Sequence, residues 1–181
     1  MKIIRSFTLV FVFATLFAAV VDAQKTASKR PIKRPASTKT NAATLPPLEV
    51  RAARVKVSNQ LSNVNQFINI LGPVAQNIEA LDNDARTKKI SQQSIDLNEA
   101  SKQKVITAIR NLRAGLVSLE TEFKTKPDLK IYLIKIQGIS DLAAQSEDSA
   151  LAGKFVACRD PLRTIAQKLN DTLTAMPNAE L

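Results

Sequence analysis

Between Lys56 and Glu79 the chain carries no charged residue, yet its apolar residues keep an unbroken four-three spacing: Val57, Leu61, Val64, Ile68, Leu71, Ala75 and Ile78. On an α-helix that spacing forms a single stripe, which must be covered by other apolar surface. The polar positions between are mostly amides: Asn59, Gln60, Asn63, Asn65, Gln66, Asn69, Gln76 and Asn77. Side-chain amides are costly in hydrocarbon, so the stretch reads as a bundle helix and not as a bilayer span.

Such a helix needs partners, and the composition says what kind. The 181 residues are 45% apolar, enough for one ordinary core and hence one domain. Four of the seven Phe (Phe7, Phe11, Phe13, Phe17) fall near the start, leaving Phe67, Phe123, Phe155 and Tyr132 as the aromatics of the remainder. A core so poor in aromatics is built from Leu, Ile, Val and Ala, which suits helix-on-helix packing.

Residues 1–23 read as a secretory signal peptide. Lys2 and Arg5 give a positive start, Phe7 to Val21 is apolar, and Val21-Asp22-Ala23 offers small residues at a cleavage site, so the mature chain is expected from Gln24. The expected localisation is secreted or periplasmic. Residues 24–46 read as a disordered basic tail. They carry Lys25, Lys29, Arg30, Lys33, Arg34 and Lys39, with Lys-Arg-Pro repeated at 29–31 and 33–35. About half of the formal +10 charge lies there: residues 24–50 hold a net +5. Those six cations are the candidate contacts to a polyanion such as an anionic membrane or cell-wall polymer. Nucleic acid is disfavoured, because the tail has no aromatic to stack on bases.

The helical domain is expected over 47–177, followed by a short tail at 178–181. Helix one starts near Pro47 and runs to about Asn83, with a second apolar edge at Phe67, Ile70, Val74 and Leu81 and a kink at Gly72-Pro73. Residues 84–95 read as a connection. A capping box at Asp96 and Glu99 starts helix two, with its seam at Val105, Ile109, Leu112, Leu116, Leu119 and Phe123. There Ala108 and Gly115 would let a neighbour approach closely. Helix three spans Leu129 to Ala152 and buries Leu129, Ile131, Tyr132, Leu133, Ile136, Ile139, Leu142 and Ala143; a strand over Ile131–Ile136 is the lesser reading. Asp160-Pro161 opens helix four, which carries its seam at Leu162, Ile165, Leu169, Leu173 and Met176 and stops at Pro177. The fold class expected is therefore all-α, an up-down four-helix bundle behind a signal and a tail.

Chemistry is limited by inventory. With no His, the chain lacks Ser-His and Cys-His pairs, imidazole zinc ligands and the Glu-x-x-His of di-iron bundles. Asp82-Asn83-Asp84 begins like a calcium loop but has Thr87 and Gln93 where Gly and Glu are required. Ser101-x-x-Lys104 lacks the companion motifs of lysine-assisted acyl transfer. The carboxylate pairs Glu120/Glu122 and Glu147/Asp148 read as solvated faces, and Cys158 as a buried apolar residue, with an intermolecular disulfide as the alternative. No catalytic, metal or cofactor residue is assigned and the chain is not read as an enzyme. A solvated helix surface ordinarily carries Lys and Glu, so the amide face (Asn59, Asn63, Gln66, Asn69) is the candidate surface for a protein partner or self-association. The function expected is a non-catalytic binding or envelope-associated protein; the alternative is a carrier of a small apolar ligand or lipid beside the Gly72-Pro73 kink.

Overall fold

The computed structural model describes residues 46–88 and 90–178, and all regular structure among them is helical. Helix α1 spans Leu48–Thr87, α2 spans Gln92–Thr125, a 3₁₀ helix covers Pro127–Tyr132, α3 is Leu133–Ile136, α4 is Ile139–Leu151 and α5 is Arg159–Ala175. The proposed signal and basic tail lie outside the described residues, as do 179–181.

The sequence stripe is the core face of α1. Val57, Val64, Leu71, Ala75 and Ile78 are fully buried, with Leu61 and Ile68 packed at the margin. Of the second edge, Phe67 and Val74 pack against the core, whereas Ile70 is half exposed. The expected seams of α2 and α5 are likewise buried at Val105, Ile109, Leu116, Leu119 and Phe123, and at Leu162, Ile165 and Leu169.

α1 packs on α2 and α5, and α4 packs on α2 and α5. Cross-chain bonds give the directions. Near the start of α1, Lys56 reaches Glu122 at the end of α2, while Asn98 near the start of α2 reaches Asp82 near the end of α1. The Arg54 guanidinium donates to the Leu173 and Met176 carbonyls at the end of α5, while Glu79 accepts from the Val156 N–H just before α5 begins. Glu120, late in α2, meets the start of α4; Arg110 and Arg113, earlier in α2, meet Glu147 late in α4. Each pair runs antiparallel. At one crossing Gln60 of α1 lies over Gly115 of α2, where an added Cβ would stand 2.7 Å from its amide nitrogen; the small residue does permit close approach.

Three expectations are corrected. First, α1 continues through Pro73 to Thr87, and α2 begins at Gln92, so the link is shorter than 84–95. Ser91 caps α2 by accepting from the Ser94 N–H at 3.2 Å, displacing the Asp96 capping box by a turn; Asp96 instead accepts from Gln92. Second, the single helix expected over Leu129–Ala152 is divided. Gly138 stands at φ +85°, a left-handed conformation natural to glycine, between α3 and α4. Third, Ile131–Ile136 is helical, as its leading reading had it, but it starts within the 3₁₀ helix and becomes α-helical only from Leu133. Leu129 and Ile136 are buried, whereas Ile131, expected in the core, is 74% exposed. α4 ends in a Schellman motif: Gly153 at φ +75°, with the Lys154 N–H on the Ser149 carbonyl and the Gly153 N–H on the Ala150 carbonyl.

Pro73 sits in the interior of an otherwise continuous helix, on its exposed side. It deprives the Asn69 carbonyl of its helical donor and crowds the preceding turn, a penalty of roughly 3 kcal/mol in a straight helix. Pro73→Ala should therefore stabilise the protein, by about 1–2 kcal/mol once local relaxation is allowed for. A denaturant melt with an unchanged or lower midpoint would show that the helix bends productively around the proline.

Candidate functional site

The buried carboxylates inside the fold are committed to structure, whereas Arg51 Nε, Asn98 Oδ1 and Arg159 Nε are buried without a hydrogen-bond partner among the described residues. Glu120 is 3% exposed, in contrast to the solvated face expected for it. Its carboxylate accepts from the Gly138 N–H (3.0 Å), the Ser140 N–H (3.0 Å), the Ser140 hydroxyl (2.6 Å) and the Lys124 ammonium (2.8 Å). It thus supplies from α2 the N-terminal cap that α4 lacks locally, since Gly138 has no side chain to offer. Burial opposes ionisation, but the Gly138 N–H, the Lys124 ammonium and the two Ser140 donors outweigh it and hold the carboxyl down at about 2.

Glu147 is also buried, against expectation, and takes the Arg110 Nε at 2.6 Å and an Arg113 Nη at 2.9 Å, which together lower its pKa. Its neighbour Asp148 is exposed, as expected. Asp82, which begins the calcium-like run, pairs with Lys102 and accepts from the buried Asn98 amide at 2.8 Å, joining α1 to α2. Glu122 gathers Lys56 and Lys126, and Lys126 also reaches Glu49. The Ser101 hydroxyl donates to the Leu97 carbonyl, and Lys104 is exposed, so that pair shows no activated nucleophile. Among the described residues no cluster of His, Cys, Asp or Glu could hold a metal ion.

Cys158 is fully buried, in keeping with the simpler of its two readings. Its Sγ donates to the Phe155 carbonyl at 2.8 Å, its own carbonyl accepts from the Ser146 hydroxyl, and burial pushes the thiol up to about 11. A thiol so placed is a poor nucleophile at neutral pH.

Gly72, beside the expected ligand gap, faces the Arg159 side chain: a Cβ there would lie 3.2 Å from its guanidinium. That space is filled. Two surface depressions occur elsewhere, one of about 560 Å³ lined by polar groups around Arg54, Asn170 and Asn178, the other of about 260 Å³ around Asn59, Gln60 and Gly115.

Comparison with known protein families, curated proteins and solved structures finds no match. The surface itself therefore carries the functional reading. Asn59, Asn63, Gln66 and Asn69 are all exposed. Asn59, Gln66 and Asn69 belong to a longer outward stripe of α1, with Asn63 beside it: Leu48, Ala52, Val55, Asn59, Ser62, Gln66, Asn69 and Pro73 alternate four and three residues apart, and every one is exposed and uncharged. Spacing of this kind is that of a helix-pairing seam, here with aliphatic residues at its first three positions and amides at Asn59, Gln66 and Asn69. The sequence contained this second seam, but the stronger inner stripe, with the same period, masks it. The candidate polyanion contacts Lys25, Lys29, Arg30, Lys33, Arg34 and Lys39 lie outside the described residues.

Proposed function

We propose that this protein is a secreted or periplasmic, non-catalytic binding protein. In this reading, α1, α2, α4 and α5 form an up-down four-helix bundle, a leader at 1–23 exports the chain, and the basic residues of 24–46 hold an anionic surface. The antiparallel pairings support the bundle, and the commitment of the buried carboxylates and Cys158 to packing and capping supports a non-catalytic role.

The observation that carries the reading is the outer face of α1. It stays free of charge from Val57 to Ile78, about 33 Å of helix, on a chain of net charge +10. A face without charge is where a strongly basic protein can approach another surface without electrostatic cost. Exposed Val55 and Ile70 and the amides between them fit a protein contact that mixes apolar burial with side-chain hydrogen bonds. The carrier reading is less well supported, because Arg159 occupies the space beside Gly72.

Asn63→Lys combined with Gln66→Glu is expected to weaken association through this face by roughly tenfold or more in dissociation constant, about 1.4 kcal/mol. Both positions are exposed, so circular dichroism should show unchanged helicity. Sedimentation velocity of the chain alone, and crosslinking with secreted or envelope proteins, read the association. Identical profiles for the parent and the double variant would rule out this face as the contact.

A further inference from the structure

The three most exposed large aliphatic side chains of the described residues are Ile131 at 74%, Leu48 at 72% and Ile134 at 70%. All three stand at one end of the helical array. Leu48 opens α1, and Glu49 beside it is ion-paired with Lys126, the residue leading into the 3₁₀ helix that carries Ile131. Ile131 and Ile134 are three residues apart across the junction of the 3₁₀ helix and α3, a helical spacing that makes their side chains neighbours, while Leu129 and Ile136 are buried in the core. Among the described residues, nothing covers either isoleucine beyond its partial burial.

The charges beside this apolar tip favour one kind of surface. Lys130 and Lys135 are each adjacent to one of the isoleucines, are exposed, and form no ion pair among the described residues; Asp128 is the exposed acid of the same segment. Residues 24–45, with six cations, are joined covalently at Pro46, immediately before this end of α1. Aliphatic side chains rimmed by lysines suit the headgroup boundary of an anionic bilayer, where the apolar groups enter the acyl region and the ammonium groups stay among phosphates. No described helix is long and apolar enough to cross a membrane, so the contact is with the interface.

We propose that this end of the molecule docks on an anionic lipid bilayer, inserting Leu48, Ile131 and Ile134 while Lys130 and Lys135 contact headgroups. The inference deepens the tail reading above by naming its anionic surface as lipid, and the two can be tested apart. The test uses the chain from Gln24 with phosphatidylglycerol–phosphatidylcholine vesicles, and pure phosphatidylcholine vesicles as control. Ile131→Ser with Ile134→Ser should lower partitioning onto anionic vesicles by about tenfold or more, leaving thermal unfolding unchanged because both sites are exposed. Replacing the six tail cations by Gln should instead reduce the salt dependence and leave a weaker binding whose remaining salt sensitivity comes from Lys130 and Lys135. The chain has no tryptophan, so Ile131→Trp provides a single emission that should shift to shorter wavelength with anionic vesicles.

If the tail variant loses all binding while the isoleucine variant binds like the parent, the tail reading stands and the docking end is overturned. Loss with the isoleucine variant alone supports the docking end and removes the tail. Absence of vesicle binding in the parent, or an Ile131→Trp emission that vesicles do not move, overturns the proposal. So does loss of self-association, and not of lipid binding, in the isoleucine variant.

Discussion

Glu120→Ala should cost about 3 kcal/mol of folding stability at neutral pH, one of the two largest losses expected from a single substitution here. The carboxylate is buried and takes four donors, and without it the Gly138 and Ser140 N–H groups at the start of α4 lose their acceptor. The pH dependence separates this from simple loss of packing. The folded carboxyl lies at about 2 against an ordinary 4.5, so in the native protein it binds its proton only at much lower pH than in the unfolded chain. A depressed folded pKa gives stability that is fully present above the unfolded value and is lost as pH falls from about 4.5 through 2. Urea melts of the parent and of Glu120→Gln should differ most above pH 5 and converge toward pH 2. A gap that stays constant across that range would mean that the ionised form has no special role.

Phe123→Ala should be at least as damaging, at about 3–5 kcal/mol, the usual range for removing a fully buried aromatic. Phe123 is 0% exposed and lies one turn beyond Glu120, where α2 meets the 3₁₀ helix. In a chain with so few aromatics, no other residue type present in the core could refill that volume without strain. Phe123→Leu, which leaves less void, should recover more than half of the loss. A Phe123→Ala variant melting within about 1 kcal/mol of the parent would show that the neighbouring helices collapse into the space.

These residues also mark where the sequence was informative. The inner stripes of α1, α2 and α5 were legible because a period of 3.6 survives in any helix long enough to repeat it, and Val57 to Ile78 repeats it through six turns. Glu120 and Glu147 were not. Each has another acid one or two residues on, in a pattern that usually marks a solvated surface, and their partners are set by tertiary contact with Gly138, Ser140, Arg110 and Arg113. The division at Gly138 was visible only as an isolated glycine within an apolar run. Its left-handed conformation separates α3 from α4, and Ile131, expected on the core face, stands exposed in the 3₁₀ helix before it. Ser91 was obscured by Asp96, whose spacing to Glu99 was as good a cap signal as its own to Ser94. The candidate amide face was legible from composition alone; its extension to Leu48 and Val55 became apparent once exposure was known.

The cap on α4 also bears on the order of assembly. Most helices carry their own starting signal within a residue or two, so each can begin to form alone. α4 takes its first acceptor from a residue 20 positions earlier, beyond an intervening segment that has itself to fold back. A ribosome makes α2 before α4, so the receiving carboxylate is already part of the chain when Gly138 is added. Circular permutation that put α4 ahead of α2 would reverse that sequence of events and leave the earlier-made α4 waiting for its anchor.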